Sequence, residues 1–313
     1  MNKIINLSVD SGKSHTKMAW YDNNDSKANI ISDAFPTMVE MTQPAGFLTG
    51  GTLVEYQGKC YEVGGTSEPS LEFDNTKLGE LHELCIFTAI AKMLLKLELP
   101  HHQLQYVQLA INVPLHDYMT IQKDYLTQYK SRHVKLKIDK QQVSFVISKV
   151  YLNPEGIGVI VRNTTSTIGS YYVIDIGGKN DTHLLFENFR PVKGKNSMTN
   201  NGVLRLLQSI ASELSAQYDF TIKDVEEIAL GKKVKPPLFE EVFEKYASEW
   251  GIRIKNQAQK FSLNPHFVKI IISGGGGILL SNQLKEVFRD FEIIFADDAR
   301  FDNAKGALMR MQD

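Results

Sequence analysis

Two short stretches hold the residues whose types and spacing could do chemistry. In Leu7-Ser8-Val9-Asp10-Ser11-Gly12-Lys13-Ser14-His15-Thr16-Lys17 an aspartate ends a β-like run, with a glycine two positions on and a lysine seven positions on. The stretch from Ser170 repeats that grammar: Tyr171-Tyr172-Val173-Ile174-Asp175 is the run and Gly177-Gly178-Lys179-Asn180 the turn. A glycine turn exposes backbone N–H groups that can point into a concavity and hold phosphate oxygens. One Asp-x-Gly turn is weak support, because turns of this composition are common. Two of them, at the ends of equivalent strands in two domains, would close on a polyphosphate from both sides. Gly12-Lys13-Ser14 does not end a P-loop: that loop needs a glycine where Leu7 stands and a helix after the serine, whereas His15 to Tyr21 reads as strand.

The aspartates need their own explanation, since a bare carboxylate repels a triphosphate. A hydrated Mg²⁺ supplies it, because Asp10 and Asp175 can accept hydrogen bonds from its waters while the ion bridges phosphate oxygens. Lys17 sits on the returning strand, where its ammonium can reach phosphate or be an ordinary solvated strand lysine. A third element is Gly274-Gly275-Gly276-Gly277, after the apolar run Lys269 to Ser273 and before a helix. Backbone without side chains there lets a flat base or its α-phosphate approach closely.

These residues must be carried by a regular frame. Strands are expected over Ile4 to Val9, Lys17 to Tyr21, Thr52 to Tyr56, Lys59 to Val63, Tyr106 to Val113 and Val143 to Tyr151. Apolar residues recur at helical spacing from Leu78 to Leu99, with Pro100 as the stop. Polar Gln122 to Asp139 reads as a surface excursion. In the second half the hairpin is followed by helices from about Gly202 to Tyr218 and Pro237 to Gln259, a buried strand over Lys269 to Ser273, a helix from about Leu279 to Phe288, and a terminal helix from Asn303 to Met311. Asp175 follows Asp10 by about 165 residues, roughly one domain.

At 313 residues the chain can bury ample core, and 42% hydrophobic with 23% charged residues is an ordinary balance for a soluble globular protein. A formal net charge of -1 argues against gripping nucleic acid through an overall basic field, so any DNA role would need an adaptor. Cys60 and Cys85 are too few and too far apart for a disulfide framework or zinc cluster. No long apolar run suggests a signal peptide or membrane span, and a cytoplasmic protein is the simplest expectation.

Asp10-x-Gly12 with Lys17, Asp175-Ile176-Gly177-Gly178, Ile272-Ser273-Gly274-Gly275-Gly276-Gly277 and Ala304-Lys305-Gly306-Ala307 resemble the phosphate-1, phosphate-2, adenosine and second connecting motifs of the actin, heat-shock ATPase and sugar-kinase superfamily. Asn112-Val113-Pro114-Leu115-His116-Asp117-Tyr118 and Asn153-Pro154-Glu155-Gly156 narrow the resemblance to the ParM/StbA plasmid-segregation actins. It implies an actin-like (ribonuclease H-like) fold: two related α/β domains around a nucleotide cleft, one from 1–158 with 302–313 and the other from 159–301. It also implies an ATPase, with ATP (GTP left open) and Mg²⁺ as ligands, and with Asp10 and Asp175 holding the metal through water. The nucleotide-contacting set would be Asp10, Ser11, Gly12, Lys13, Ser14, Lys17, Asp175, Gly177, Gly178, Lys179, Asn180, Gly202 and Gly274 to Gly277. Catalysis would involve Asp10, Asp175 and Glu155, the last orienting the attacking water.

The implied biology is a head-to-tail filament of the chain itself, moving plasmid DNA through a ParR-like adaptor on a centromere, with no direct nucleic-acid or membrane contact. Lys13, and Lys179-Asn180, depart from the small polar residues and threonines usual in the two turns; they could add charge near the phosphates or point outward. Two alternatives stand beside this reading: a sugar-type kinase of the same superfamily and a low-turnover nucleotide-binding scaffold. The lysine-rich Gly231 to Lys235 is assigned no role.

Overall fold

The computed structural model describes residues 4–22, 29–43, 48–65, 77–99, 103–166, 168–215 and 217–312. Pro100, the expected helix stop, lies outside them. The chain divides into two compact units, residues 1–161 with 303–313 and residues 162–302.

In the first unit β1 (Ile4–Ser11) and β2 (His15–Tyr21) form the first hairpin, followed by β3 (Ile30–Pro36), β4 (Val39–Thr42), β5 (Thr52–Tyr56) and β6 (Lys59–Val63). Helix α1 (Glu80–Lys96), β7 (Gln105–Val113), α2 (Leu115–Thr120), α3 (Gln122–Tyr129), β8 (His133–Ile138), β9 (Gln141–Pro154) and α4 (Ile157–Asn163) complete the run. The second unit contains β10 (Ser170–Ile176), β11 (Asp181–Glu187), β12 (Arg190–Thr199), α5 (Val203–Leu214), α6 (Ile222–Ala229), α7 (Phe239–Gln259), β13 (Val268–Ser273), α8 (Gly275–Leu279), α9 (Ser281–Val287) and β14 (Ile293–Phe295). Helix α10 (Asp302–Met309) returns to the first unit.

The sheets show a duplicated plan. The first has the order β3-β2-β1-β7-β9-β8-β5-β6-β4 and the second β12-β11-β10-β13-β14. In each, an antiparallel hairpin (β1-β2, β10-β11) lies beside a parallel strand (β7, β13). The first five strands of the larger sheet therefore match the smaller one, and β8, β5, β6 and β4 extend it. Two related α/β domains are the result.

Alternation fixes which face is buried. On β1, Ile5, Leu7 and Val9 enter the core with α1, which brings Phe87 edge-on against Tyr56, Tyr129 and Phe145. Residues 122–139 are not the excursion their polarity suggests. Tyr125 and Tyr129 of α3 are fully buried, and Val134, Leu136 and Ile138 alternate inward along β8 while Lys135 and Lys137 face solvent. In the second unit α5 and α7 cover the sheet with Leu206, Leu207, Ile210, Trp250 and Ile254. Thr221 and Asp224 form a capping box that starts α6, a helix the apolar spacing alone did not announce.

The expected helix from Leu279 to Phe288 is instead two short helices, and the first begins inside the glycine run. Helices α4 and α10 touch through glycines: a Cβ on Gly306 would lie 2.1 Å from the Gly158 carbonyl oxygen, and one on Gly158 would lie 2.4 Å from that of Asn303.

Candidate functional site

The two hairpins share one geometry. In the first, Gly12 N–H donates to His15 O across 3.0 Å and Asp10 faces Lys17 on the return strand. In the second, Gly177 N–H donates to Asn180 O across 2.8 Å and Asp175 faces Thr182. Each aspartate thus precedes a four-residue turn and lies opposite the residue seven positions on. A Cβ on Gly12 would meet His15 O at 3.0 Å and one on Gly177 would meet Asn180 O at 3.2 Å, which is why each turn opens with glycine. Gly12, Lys13, Ser14 and Lys17 are half-buried, as are Asp175, Gly177, Gly178, Lys179 and Asn180. Desolvation pushes the Lys179 ammonium below its ordinary pKa.

Ser11 belongs behind the first turn. Its side chain is wholly buried, with Oγ 2.8 Å from His82 Nδ1 and 3.2 Å from Thr16 Oγ1, and Thr16 continues to Thr37 at 2.9 Å. The Ser11 hydroxyl is engaged in this support. Burial raises the neighbouring Cys85 thiol to about 12, making it inert packing.

The second hairpin has a comparable brace. Asp181, the residue after its turn, accepts from His183 Nε2 at 3.1 Å and from the Thr199 hydroxyl, while His183 Nδ1 lies 2.8 Å from the Tyr172 hydroxyl. A carboxylate can only accept, so Nε2 carries the hydrogen. Burial opposes the charge on Asp181, but His183 and Thr199 outweigh it and hold the carboxyl below its usual range.

Gly202, expected among the ligand-contacting residues, is buried against this turn. A Cβ there would fall 2.2 Å from Lys179 C, and the amides of Gly202, Val203 and Leu204 donate to Lys179 O, Gly177 O and Gly178 O at 3.1, 2.9 and 2.9 Å. The first N–H groups of α5 serve the hairpin.

The glycine run divides by purpose. Gly274, at φ 81°, would place a Cβ 2.3 Å from Ile176 O and 2.5 Å from Asp175 Oδ1. Gly276 and Gly277 are closed off by Ile176 Cγ2 at 2.3 Å and Ile272 Cγ2 at 2.8 Å. Gly274 and Gly276 let α8 sit against β10, and Gly277 fits it against β13. Gly275 alone is exposed, with nothing within 4 Å of its missing Cβ.

The group that sequence reasoning missed lies beside Asp10. Lys77, just ahead of α1 and 5% exposed, donates to Asp10 Oδ1 at 3.2 Å and Asn112 O at 3.0 Å, and pairs with Glu155 Oε1 at 2.8 Å. Burial would depress the Lys77 pKa, but Glu155 and Asp10 reverse this and raise it. Burial would likewise raise Asp10, and Lys77, with Lys17 and His82, holds it below the ordinary value. Asn112 is wholly buried, and its side-chain amide has no hydrogen-bond partner among the described residues. No local motif marks Lys77; residues 10, 77, 112 and 155 meet only in the fold.

Each unit carries one aspartate ahead of its glycine turn, Asp10 in the first and Asp175 in the second, and among the described residues there is no cluster of three or more metal-ligating side chains. A carboxylate is the hard oxygen donor that suits Mg²⁺ retaining its waters.

Residues 8–158 match the family model described as the N-terminal domain of actin-like proteins. Among solved structures, the archaeal actin homolog Ta0583 superposes with a TM-score of 0.77 at 16% identity over 99% of this chain and 100% of its own. Bacillus thuringiensis ParM with AMPPNP gives 0.76 at 16% over 98% of each chain, and the Alp12 filament structure gives 0.73 at 19%, again over 98% of each. No curated protein matches significantly. The chain has the actin-like fold. The solved structures that share this fold include ParM proteins at 16–17% identity.

Proposed function

We propose that this chain is an actin-like ATPase that polymerises when it binds nucleotide. The observation that carries the reading is the matched pair of Asp-x-Gly hairpins, each braced from behind, with Glu155 and Asp10 brought to one ammonium. Backbone N–H groups of residues 11–14 and 177–180, in and beside the two turns, would hold the β- and γ-phosphates, with Lys13, Lys17 and Lys179 adding positive charge. Gly275 offers the open backbone against which the nucleoside end would rest. Mg²⁺, when bound with the nucleotide, neutralises phosphate charge, and Asp10 and Asp175 would hold it through its waters.

Glu155 would accept a hydrogen bond from the attacking water. The water oxygen forms a bond to the γ-phosphorus, the bond to the β–γ bridging oxygen breaks to leave ADP, and a proton passes from the water to the carboxylate. Phosphoryl transfer needs positioning and charge stabilisation more than covalent help, which a fixed carboxylate and paired amide turns supply.

Filament formation is supported by the fold shared with ParM and Alp12, whose structures include ATP and AMPPNP complexes and a filament. Head-to-tail contact is heterologous and open, so assembly continues until hydrolysis weakens it. We place the filament in plasmid segregation through a DNA-binding adaptor, since a net charge of -1 gives the chain no general hold on DNA. No helix among the described residues is long and apolar enough to cross a membrane.

The test adds ATP and Mg²⁺ to the purified chain and follows 90° light scattering, sedimentation and phosphate release, with and without sugars. A nucleotide-dependent pellet with phosphate release supports the proposal. Sugar-dependent ADP production without a pellet would replace it with a kinase.

A further inference from the structure

We propose that Lys77 is a positioning residue for hydrolysis, setting the Glu155 carboxylate rather than binding phosphate; this rests on the ATPase reading above. A lysine ammonium has three N–H donors. Here all three have acceptors: Asp10 Oδ1 at 3.2 Å, Asn112 O at 3.0 Å and Glu155 Oε1 at 2.8 Å. A phosphate oxygen could reach this nitrogen only by displacing one of them.

Both ends of Lys77 are fixed. Its backbone N–H donates to the Tyr125 hydroxyl at 3.0 Å, and that hydroxyl donates to Asp117 Oδ2 at 2.6 Å. Glu155 is fixed twice as well, by its own N–H to Val113 O at 2.9 Å and by Lys77 at Oε1. With one oxygen held, the carboxylate has its other oxygen to offer a water. Lys17 from β2 and His82 from α1 act on Asp10, and among the described residues the cation paired with Glu155 is Lys77. Lys77 is thus the cation that sets Glu155. A water-orienting carboxylate must be placed closely, because about 1 Å of misplacement can cost on the order of a hundredfold in rate.

The experiment measures steady-state phosphate release against ATP concentration, with nucleotide affinity from a fluorescent ATP analogue, for the full chain and for Lys77→Met, Lys77→Arg, Glu155→Ala and the Lys77→Met/Glu155→Ala double variant. Lys77→Met should lower kcat by about tenfold or more while KM and affinity stay within about threefold. In the Glu155→Ala background the same change should alter kcat by less than about twofold, because its target is gone. Lys77→Arg keeps the charge but not the three-point geometry and should lose at least about threefold in kcat with KM held; it carries the test if Lys77→Met does not fold. Equal losses with and without Glu155, a rise in KM at unchanged kcat, or wild-type kcat in Lys77→Arg would overturn the proposal. A wild-type chain that hydrolyses no ATP would sink the ATPase reading and this inference with it, whereas normal turnover in the Lys77 variants would sink the inference alone.

Discussion

Lys77 Nζ stands 2.8 Å from Glu155 Oε1, with 7% and 24% of their side-chain surfaces exposed. The same nitrogen reaches Asp10, so two acidic groups depend on one buried cation. The charge is nearly solvent-free, and removing one partner costs more than the pair contributes.

That arrangement has a pH signature. Asp10 is depressed by Lys77 against burial, so its contribution is present above its ordinary value near about 3.9 and is lost as pH falls through the lower folded value. Lys77 is raised, so its contribution is present below about 10.4 and is lost as pH rises through the folded value. Lys77→Met leaves Asp10 buried without its partner, reversing its shift and making the variant gain stability on acidification. Urea unfolding should show a deficit of about 3 kcal/mol near pH 8 that narrows toward pH 4. A deficit independent of pH would contradict the pairing.

Glu155→Ala should separate assembly from turnover. Sedimentation with ATP and Mg²⁺ should persist, while phosphate release falls by roughly a hundredfold. Unchanged release would remove Glu155 from the reaction.

Two neighbouring glycines should behave oppositely. Gly275 has open space where its Cβ would go, so Gly275→Ala should keep the wild-type melting temperature, and a weaker nucleotide affinity would then report the ligand itself. Gly274→Ala meets Asp175 Oδ1 at 2.5 Å with φ at 81°, and should lose both stability and binding. Thermal melts alongside ATP titrations distinguish the two, and a large loss of stability in Gly275→Ala would show the space to be misjudged.

Gly306→Ala drives a methyl group to 2.1 Å from a backbone oxygen of Gly158, an atom no rotamer change can move. A loss of about 2 kcal/mol or more is expected in denaturant midpoint. Wild-type stability would mean that α4 and α10 part easily.

The hairpins were legible because each is local: strand, aspartate, glycine turn and return strand lie within about a dozen residues. Their braces were not, since His82 meets Ser11 and Thr199 meets Asp181 only after folding. Composition marked the glycine run but not its purpose, which for Gly274, Gly276 and Gly277 is contact with β10 and β13. Strand β12 went unread because Lys193-Gly194-Lys195-Asn196 looks like loop; pairing with β11 at the sheet edge makes it strand. Segment 122–139 was misread for a related reason, its outward-facing charges hiding the alternation of Val134, Leu136 and Ile138. Lys233, within the lysine-rich Gly231 to Lys235, pairs with Asp224 and Glu227.

The most direct measurement is a crystal structure of the chain with Mg²⁺ and AMPPNP. The account predicts the β- and γ-phosphates within hydrogen-bonding distance of backbone N–H groups from both hairpins, residues 11–14 and 177–180, with Glu155 facing the γ-phosphate through a water. Phosphates touching only one turn, or a nucleotide bound elsewhere, would contradict it.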